Sequence, residues 1–267
     1  MPISLEPIGT FYCNAAYKSE APRQGVFFGA RTGRIELLPH MGFEEALRDL
    51  SGFERIWIIF AFHRNKGWRT TTRPPVPPPD HERVGVFASR GPYRPNPLGL
   101  SCVKLLAVER LTLFVDGADL LNETPVLDIK PYIPRADAFP TAKAGWVDAQ
   151  NLDRWEIAET ESFAERNAWL LEACGLDFRS FAECQLSNLP FDSTRKRVRV
   201  DFESKTAELA FRTFRIDFSF DEKSRRILLG KIRSGYSAEE LESPTDRYGD
   251  KPLHREFILH FAQSPNA

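Results

Sequence analysis

No two of the 16 glycines in this 267-residue chain are separated by a single residue. That absence removes the GxGxxG and GxGxG strand-turns of ordinary dinucleotide and Rossmann methyltransferase sites, and no Walker A loop or GxSxG elbow is present either. Cysteine is scarce and scattered, at Cys13, Cys102, Cys174 and Cys184, with no CxxC pair. This is the pattern of reduced structural thiols in a cytoplasmic protein. The five histidines, His40, His63, His81, His254 and His260, lack metal-ligand spacing, so the expected metal content is none. The longest strongly apolar run, Ile56 to Phe62, is too short to cross a bilayer, and the first residues show no secretory pattern; no membrane partner is expected. A net charge of −1 argues against a surface that grips nucleic acid everywhere, but leaves room for a local basic patch.

What is present is ordinary for a globular chain, with 42% hydrophobic and 27% charged residues. Residues 1 to about 136 read mostly as β. Strands are expected at Ser4–Phe11, Gln24–Phe28, Ile35–Leu38, Arg83–Ala88, Leu100–Glu109 and Leu111–Val115. Arg55–Phe62, apolar at nearly every position, reads as a strand buried on both faces. Phe43–Leu50 reads as the one short helix. Many short strands with so little helix predict a mainly β fold, a small closed β-barrel. A boundary is expected in 137–150, dividing a domain at 1–140 from a smaller α+β domain at 150–267. There, helices are expected at Glu161–Ala173, stopped by Gly175, and from an Asp177 cap to Gln185. Strands follow at Phe214–Phe220, Ile227–Ile232 and Glu256–Phe261.

Two segments carry chemistry. One is Gly85–Ser101, GVFASRGPYRPNPLGLS, which starts as a strand and breaks into a turn with three prolines. Prolines fix φ and restrict the preceding residue, so the turn is stiff. Arg90, Tyr93, Arg94 and Asn96 give it charge, a stacking face and hydrogen-bonding groups. The other is the 20-residue stretch His63–Glu82, with five prolines among the six residues 74–79. A loop this long is usually functional or disordered. Lys66, Arg69 and Arg73 around Trp68 suit a nucleic-acid backbone and a base face. A solvated loop with Trp68 tucked onto the barrel is the competing reading.

Gly85–Arg90 followed by Arg94-Pro-Asn-Pro-Leu-Gly99 resembles the signature of the TrmO family, also called TsaA-like or YaeB-like proteins. Pro22-Arg23-Gln24, Phe60-Ala-Phe-His63 and Thr124-Pro-Val-Leu-Asp-Ile-Lys-Pro-Tyr132 agree in kind and order. Gly91 departs from the serine or alanine usual there. The resemblance covers roughly residues 1 to 136. It implies a β-barrel methyltransferase, commonly a homodimer, that uses S-adenosylmethionine to methylate N6 of threonylcarbamoyl-adenosine beside the anticodon of tRNA. It also implies a cofactor pocket at Pro22, Arg23, Gln24, His63, Arg64, Arg90, Leu100, Glu123, Thr124, Pro125 and Val126.

The residue types suit that chemistry. Arg23 or Arg90 can pair with the cofactor carboxylate, Gln24 and His63 can fix hydroxyls or ring edges, and carbonyls of the Thr124-Pro125 turn can accept from an amine. A conjugated nitrogen must shed a proton to attack, so Asp128 and Asn96 are candidate acceptors, with Lys130 on a carbonyl or a phosphate. Trp68, Tyr93 and Tyr132 are candidates to stack bases of the anticodon loop. Arg69, Arg73, Arg94, Arg195, Lys196 and Arg197 are candidates for its phosphates. Structural readings stand beside these: a loop-bracing Arg90, a packed His63, and Asp128 and Lys130 as charges on one strand face. Two other functions stay open, methylation of another RNA or small molecule, and a non-enzymatic RNA-binding or regulatory barrel.

Overall fold

The structure is a computed structural model that describes residues 3–15, 32–150, 153–193 and 197–262. The chain divides into two compact units, Met1–Leu152 and Asp153–Ala267. The expected strand at Gln24–Phe28 lies outside the described residues.

The first unit is built on β1 (Gly9–Tyr12), β2 (Gly33–Leu37), β3 (Arg55–Ala61), β6 (Leu98–Glu109), β7 (Thr112–Asp116) and β8 (Thr124–Pro131), with β4 (Thr71–Thr72) and β5 (Val84–Gly85) inserted between β3 and β6. The six long strands close in the order β1-β2-β7-β6-β3-β8, every neighbour antiparallel. Closure leaves no unpaired edge. Phe11, Ile35, Ile58, Val103, Leu113 and Val126 fill the interior, each almost wholly buried. Gly99 is required by packing: a Cβ there would stand 2.2 Å from the Phe60 ring.

Three expectations are corrected here. β3 alternates, with Ile56, Ile58 and Phe60 buried and Arg55, Trp57, Ile59 and Ala61 only partly covered. It has one buried face because a barrel strand has a single interior side. The helix over Phe43–Leu50 is only α1 (Phe43–Ala46), since Asp49 takes φ +67 and a 3-10 turn follows. The strand at Arg83–Ala88 is only β5, because Val86–Ala88 curls into a 3-10 turn. After β8 come α2 (Pro134–Asp137) and a 3-10 turn at Gly145–Ala149.

The second unit is a five-stranded sheet ordered β10-β11-β12-β13-β9, from β9 (Glu156–Glu159), β10 (Val198–Asp201), β11 (Thr206–Phe211), β12 (Phe214–Asp221) and β13 (Arg226–Ser234). β9 runs parallel to β13 and the other pairs are antiparallel. α3 (Glu161–Cys174) and α4 (Phe178–Leu186) pack on it, followed by α5 (Ala238–Glu242) and α6 (Lys251–Ala262). Thr160 Oγ1 accepts from Phe163 N at 3.2 Å, Asp177 Oδ1 accepts from Ser180 N at 3.0 Å, and Gly175 closes α3 at φ +69. The strand expected at Glu256–Phe261 is instead the end of α6. Lys251, His254, Phe257 and Phe261 are its buried residues, at helical spacing.

Candidate functional site

The register brings three chain segments to one end of the barrel. Ala61 of β3 pairs with Leu98 of β6, and Phe62 N donates to Pro97 O at 2.7 Å. Phe60 also pairs with Val126 of β8, across a bulge that follows Ile59. The end of β3, the start of β6 and the start of β8 therefore form one rim. It carries His63 and Arg64, Asn96 and Leu100, and Glu123 to Val126.

Contacts tie part of this set together directly. Arg64 Nε donates to His63 Nε2 at 3.2 Å, and an Arg64 Nη2 to Glu123 Oε2 pair spans 3.6 Å. Glu123 sits at φ +62 in the left-handed region, in the turn that delivers the chain into β8. That turn, at Asn122–Glu123, lies two residues earlier than the sequence indicates, since Thr124 and Pro125 already pair with Phe11 and Thr10 of β1. Thr124 and Val126 turn their side chains into the core, 2% and 0% exposed, and Val126 is paired on both sides, its carbonyl accepting from Ile8 N at 2.8 Å. Thr124 Oγ1 donates to Leu121 O at 2.7 Å.

Leu98, Leu100 and Cys102 follow one another on the outward face of β6, with Leu100 52% exposed. Burial raises the Cys102 thiol pKa, and the nearby charges of Arg55 and Arg90 oppose that rise. Arg90 is exposed, in the turn between the 3-10 turn at Val86–Ala88 and β6. Across β3, Asp128 and Lys130 also point outward, beside Ile59 and Trp57. Lys130 Nζ sits 2.8 Å from Asp128 Oδ2, and Asp128 Oδ1 accepts from Ile129 N at 2.9 Å. The Asp137 carboxylate accepts from Ile133 N and the Trp57 indole, and those bonds hold its pKa below the usual range.

The inserted segment 63–97 is ordered by its own contacts. Thr71 and Thr72 pair with Gly85 and Val84. Arg83 donates to Thr71 Oγ1 at 3.0 Å and to Thr71 O at 2.8 Å. Arg94 Nη1 donates to Val86 O at 3.0 Å and Ser89 O at 2.7 Å, so this guanidinium braces the turn. From the 3-10 turn after β8, Trp146 Nε1 donates to Ala88 O at 2.8 Å, and just beyond it the Gln150 amide donates to Val76 O. The proline-rich stretch is therefore anchored to the barrel unit. A Cβ at Gly91 would meet Thr72 and Ser89 at 3.4 Å or more, so the serine or alanine usual there would need little room.

Among the aromatic candidates, Tyr93 lies beneath the Arg69 guanidinium, 5.0 Å from its ring centre, and Tyr132 packs on Trp57 at 5.8 Å. Trp68 is 53% exposed. Phe87, read from the sequence only as a strand residue, is 76% exposed. Arg73 pairs with Glu82 at 3.5 Å. Arg197 is exposed in the second unit. Pro22, Arg23, Gln24, Arg195 and Lys196 lie outside the described residues. Among the described residues, no group of three His, Cys, Asp or Glu side chains is placed to hold a metal, and no helix is long and apolar enough to cross a membrane. No disulfide links the four cysteines.

Comparison with known proteins follows the same division. The family model of the tRNA-methyltransferase O N-terminal domain matches residues 11–138. The tRNA (adenine(37)-N6)-methyltransferase of Escherichia coli (strain K12) is 38% identical over 160 residues, covering 58% of this chain and 67% of that protein. The match thus spans about two thirds of that relative's length. A probable S-adenosyl-L-methionine-binding protein of Pyrococcus abyssi is 34% identical over 159 residues, covering 60% of this chain and 83% of the other. The crystal structure of TrmO from Pseudomonas aeruginosa superposes with a TM-score of 0.63 at 27% identity, covering 88% of this chain and 99% of that one. The barrel, the rim motifs in their order and these relatives agree: the chain belongs to the tRNA-methyltransferase O family.

Proposed function

We propose that this protein is an S-adenosylmethionine-dependent tRNA methyltransferase, acting on N6 of threonylcarbamoyl-adenosine beside the anticodon. The observation that carries the reading is the rim itself. His63, Arg64 and Glu123 are in contact there, at one end of a barrel whose relatives include a tRNA (adenine(37)-N6)-methyltransferase.

The rim suits such a cofactor on its own chemistry. It joins the Arg64 cation to the exposed apolar Leu100 and to main chain at Glu123–Thr124, and the proposed pocket adds Arg90. The cofactor, when bound, supplies a methyl carbon made electrophilic by its sulfonium. Arg64 or Arg90 pairs with its carboxylate, a charge-assisted bond worth ~1.5–3 kcal/mol. His63 orients a hydroxyl or ring edge and Leu100 covers apolar surface; Pro22, Arg23 and Gln24 join the proposed pocket on the family resemblance alone. Holding acceptor and donor in line is the enzyme's main task, and such positioning contributes ~7–11 kcal/mol. Asp128 accepts the N6 proton, Asn96 orients the acceptor, and Lys130 leaves its pairing with Asp128 to meet the threonylcarbamoyl group. Trp68 and the arginines of segment 63–97 meet the anticodon loop, and Arg195, Lys196 and Arg197 are proposed phosphate contacts. A tRNA substrate supports a cytoplasmic protein. The exposed Ile133 and Phe139, 42% and 71% accessible, support a homodimer.

Calorimetric titration with S-adenosylmethionine tests the cofactor, and no binding at millimolar ligand would end the proposal. Nucleoside mass spectrometry of tRNA from a deletion strain tests the substrate. Loss of the N-methylated threonylcarbamoyl nucleoside is expected, and an unchanged level would redirect the search to another acceptor.

A further inference from the structure

Phe87 is 76% exposed while its neighbour Val86 is 2% exposed. The turn that presents it is held from several sides. Val86 N donates to Thr70 O at 2.9 Å. Val86 O accepts from Ser89 Oγ at 2.8 Å and from Arg94, which also binds Ser89 O. Ala88 O accepts from Trp146. The carbonyls on both sides of Phe87 thus have side-chain donors, and its ring is offered to solvent on a preorganised support. The backbone that presents the ring therefore has little conformational entropy left to lose on stacking.

Its surroundings select the partner. Arg94 lies 5.8 Å from the Phe87 ring centre. Residues 63–97 hold seven Lys and Arg against two acidic residues, although the whole chain has a net charge of −1. An exposed aromatic among cations suits an unpaired base on a phosphate backbone better than another protein surface, whose binding core is usually poor in charge. Trp68 is the second exposed ring of this segment, two residues before Thr70. Tyr93 and Tyr132 are half-buried against Arg69 and Trp57, whereas Phe87 is exposed.

Resting on the proposed tRNA reading, we infer that Phe87 is a stacking residue that holds an unpaired base of the anticodon loop during methylation. Arg94 braces the turn beneath it and contributes positive charge beside the base. Phe87 touches the RNA and not the cofactor.

The test is fluorescence anisotropy of a labelled anticodon stem-loop RNA with the full chain, across a salt series. Phe87→Leu is expected to weaken binding roughly 5- to 100-fold, the range for one lost base stack. The slope of log affinity against log salt should not change, because no phosphate contact is lost. Phe87→Trp should retain binding. Both variants should melt like the parent and bind S-adenosylmethionine with unchanged affinity. Unchanged RNA binding by Phe87→Leu would overturn the inference. So would parallel loss of cofactor binding, which would assign Phe87 to the pocket, or a change in oligomeric mass, which would assign it to a contact between copies. A parent protein that binds no stem-loop at all would bring down the tRNA reading itself, and this inference with it.

Discussion

The two units treat their polar groups in opposite ways. In the barrel, only Ser101 and Thr124 are buried polar residues among those described, while Arg64 and Glu123 at the rim stay in water. In the second unit Arg166, Gln185, Lys251 and His254 are all buried. There Asp250 accepts from the Tyr236 and Thr213 hydroxyls at 2.7 and 2.5 Å. His254 bonds Ser234 and Thr213 and stacks on Phe214 at 3.8 Å. Lys251 Nζ donates to Ser243 O at 2.9 Å and to Glu240 O. The lesson is that a dense polar cluster does not by itself mark a site. Buried groups satisfy one another and hold the fold, whereas charges left in water at a strand-end rim remain available to a ligand.

The largest effect is expected where that contrast is sharpest. Asp250→Ala strands two hydroxyl donors and should cost about 3 kcal/mol, read as a lower urea midpoint. Cofactor affinity should hold under native conditions; a variant that lost affinity and kept its midpoint would reverse the contrast. Close behind is a pH effect. Burial pushes the His254 pKa down from 6.5 to about 4, with Arg215 adding to the push and Asp250 and Asp246 opposing it. Tyr236 also packs against the ring. The unfolded chain binds a proton that the native state refuses, so this contribution is whole above pH 6.5 and falls as pH drops toward 4, by about 3 kcal/mol. Urea midpoints across that window should decline in the parent and flatten in His254→Gln.

On the barrel side, Gly99→Ala drives a methyl into the Phe60 ring. The expected cost is about 1–3 kcal/mol, with weaker cofactor binding because the rim strands must part. An unchanged melting temperature would mean that the ring yields freely. The smallest change is Arg64→Ala. Its pair with Glu123 is exposed, so stability should move by less than ~0.5 kcal/mol while cofactor affinity falls roughly tenfold by calorimetry. A stability loss without an affinity loss would make this pair structural.

Much of the barrel was legible because its strands alternate and turn residues separate them. β3 misled because Trp57 and Ile59 are apolar on the outward face, where they are only partly covered. α6 misled for the opposite reason: two of its buried positions are Lys251 and His254, which a hydrophobic pattern skips. β9 went unread because Glu156-Ile-Ala-Glu159 has only two apolar residues and its pairing is to a distant strand. The rim was legible through motif order, but Phe87 was not. Only the bonds of Arg94, Ser89 and Trp146 to nearby carbonyls turn the end of an apparent strand into a presented ring.

Trp146 and Gln150 have one more consequence. Their bonds to Ala88 and Val76 make the last residues of the first unit a clasp across both halves of the inserted segment. A barrel cut after residue 140 would keep every long strand and lose the clasp. Its sheet amides should still resist hydrogen exchange, while the segment between β3 and β6 opens locally at little free-energy cost. The length of chain that keeps every long strand and the length that keeps the clasp are therefore different.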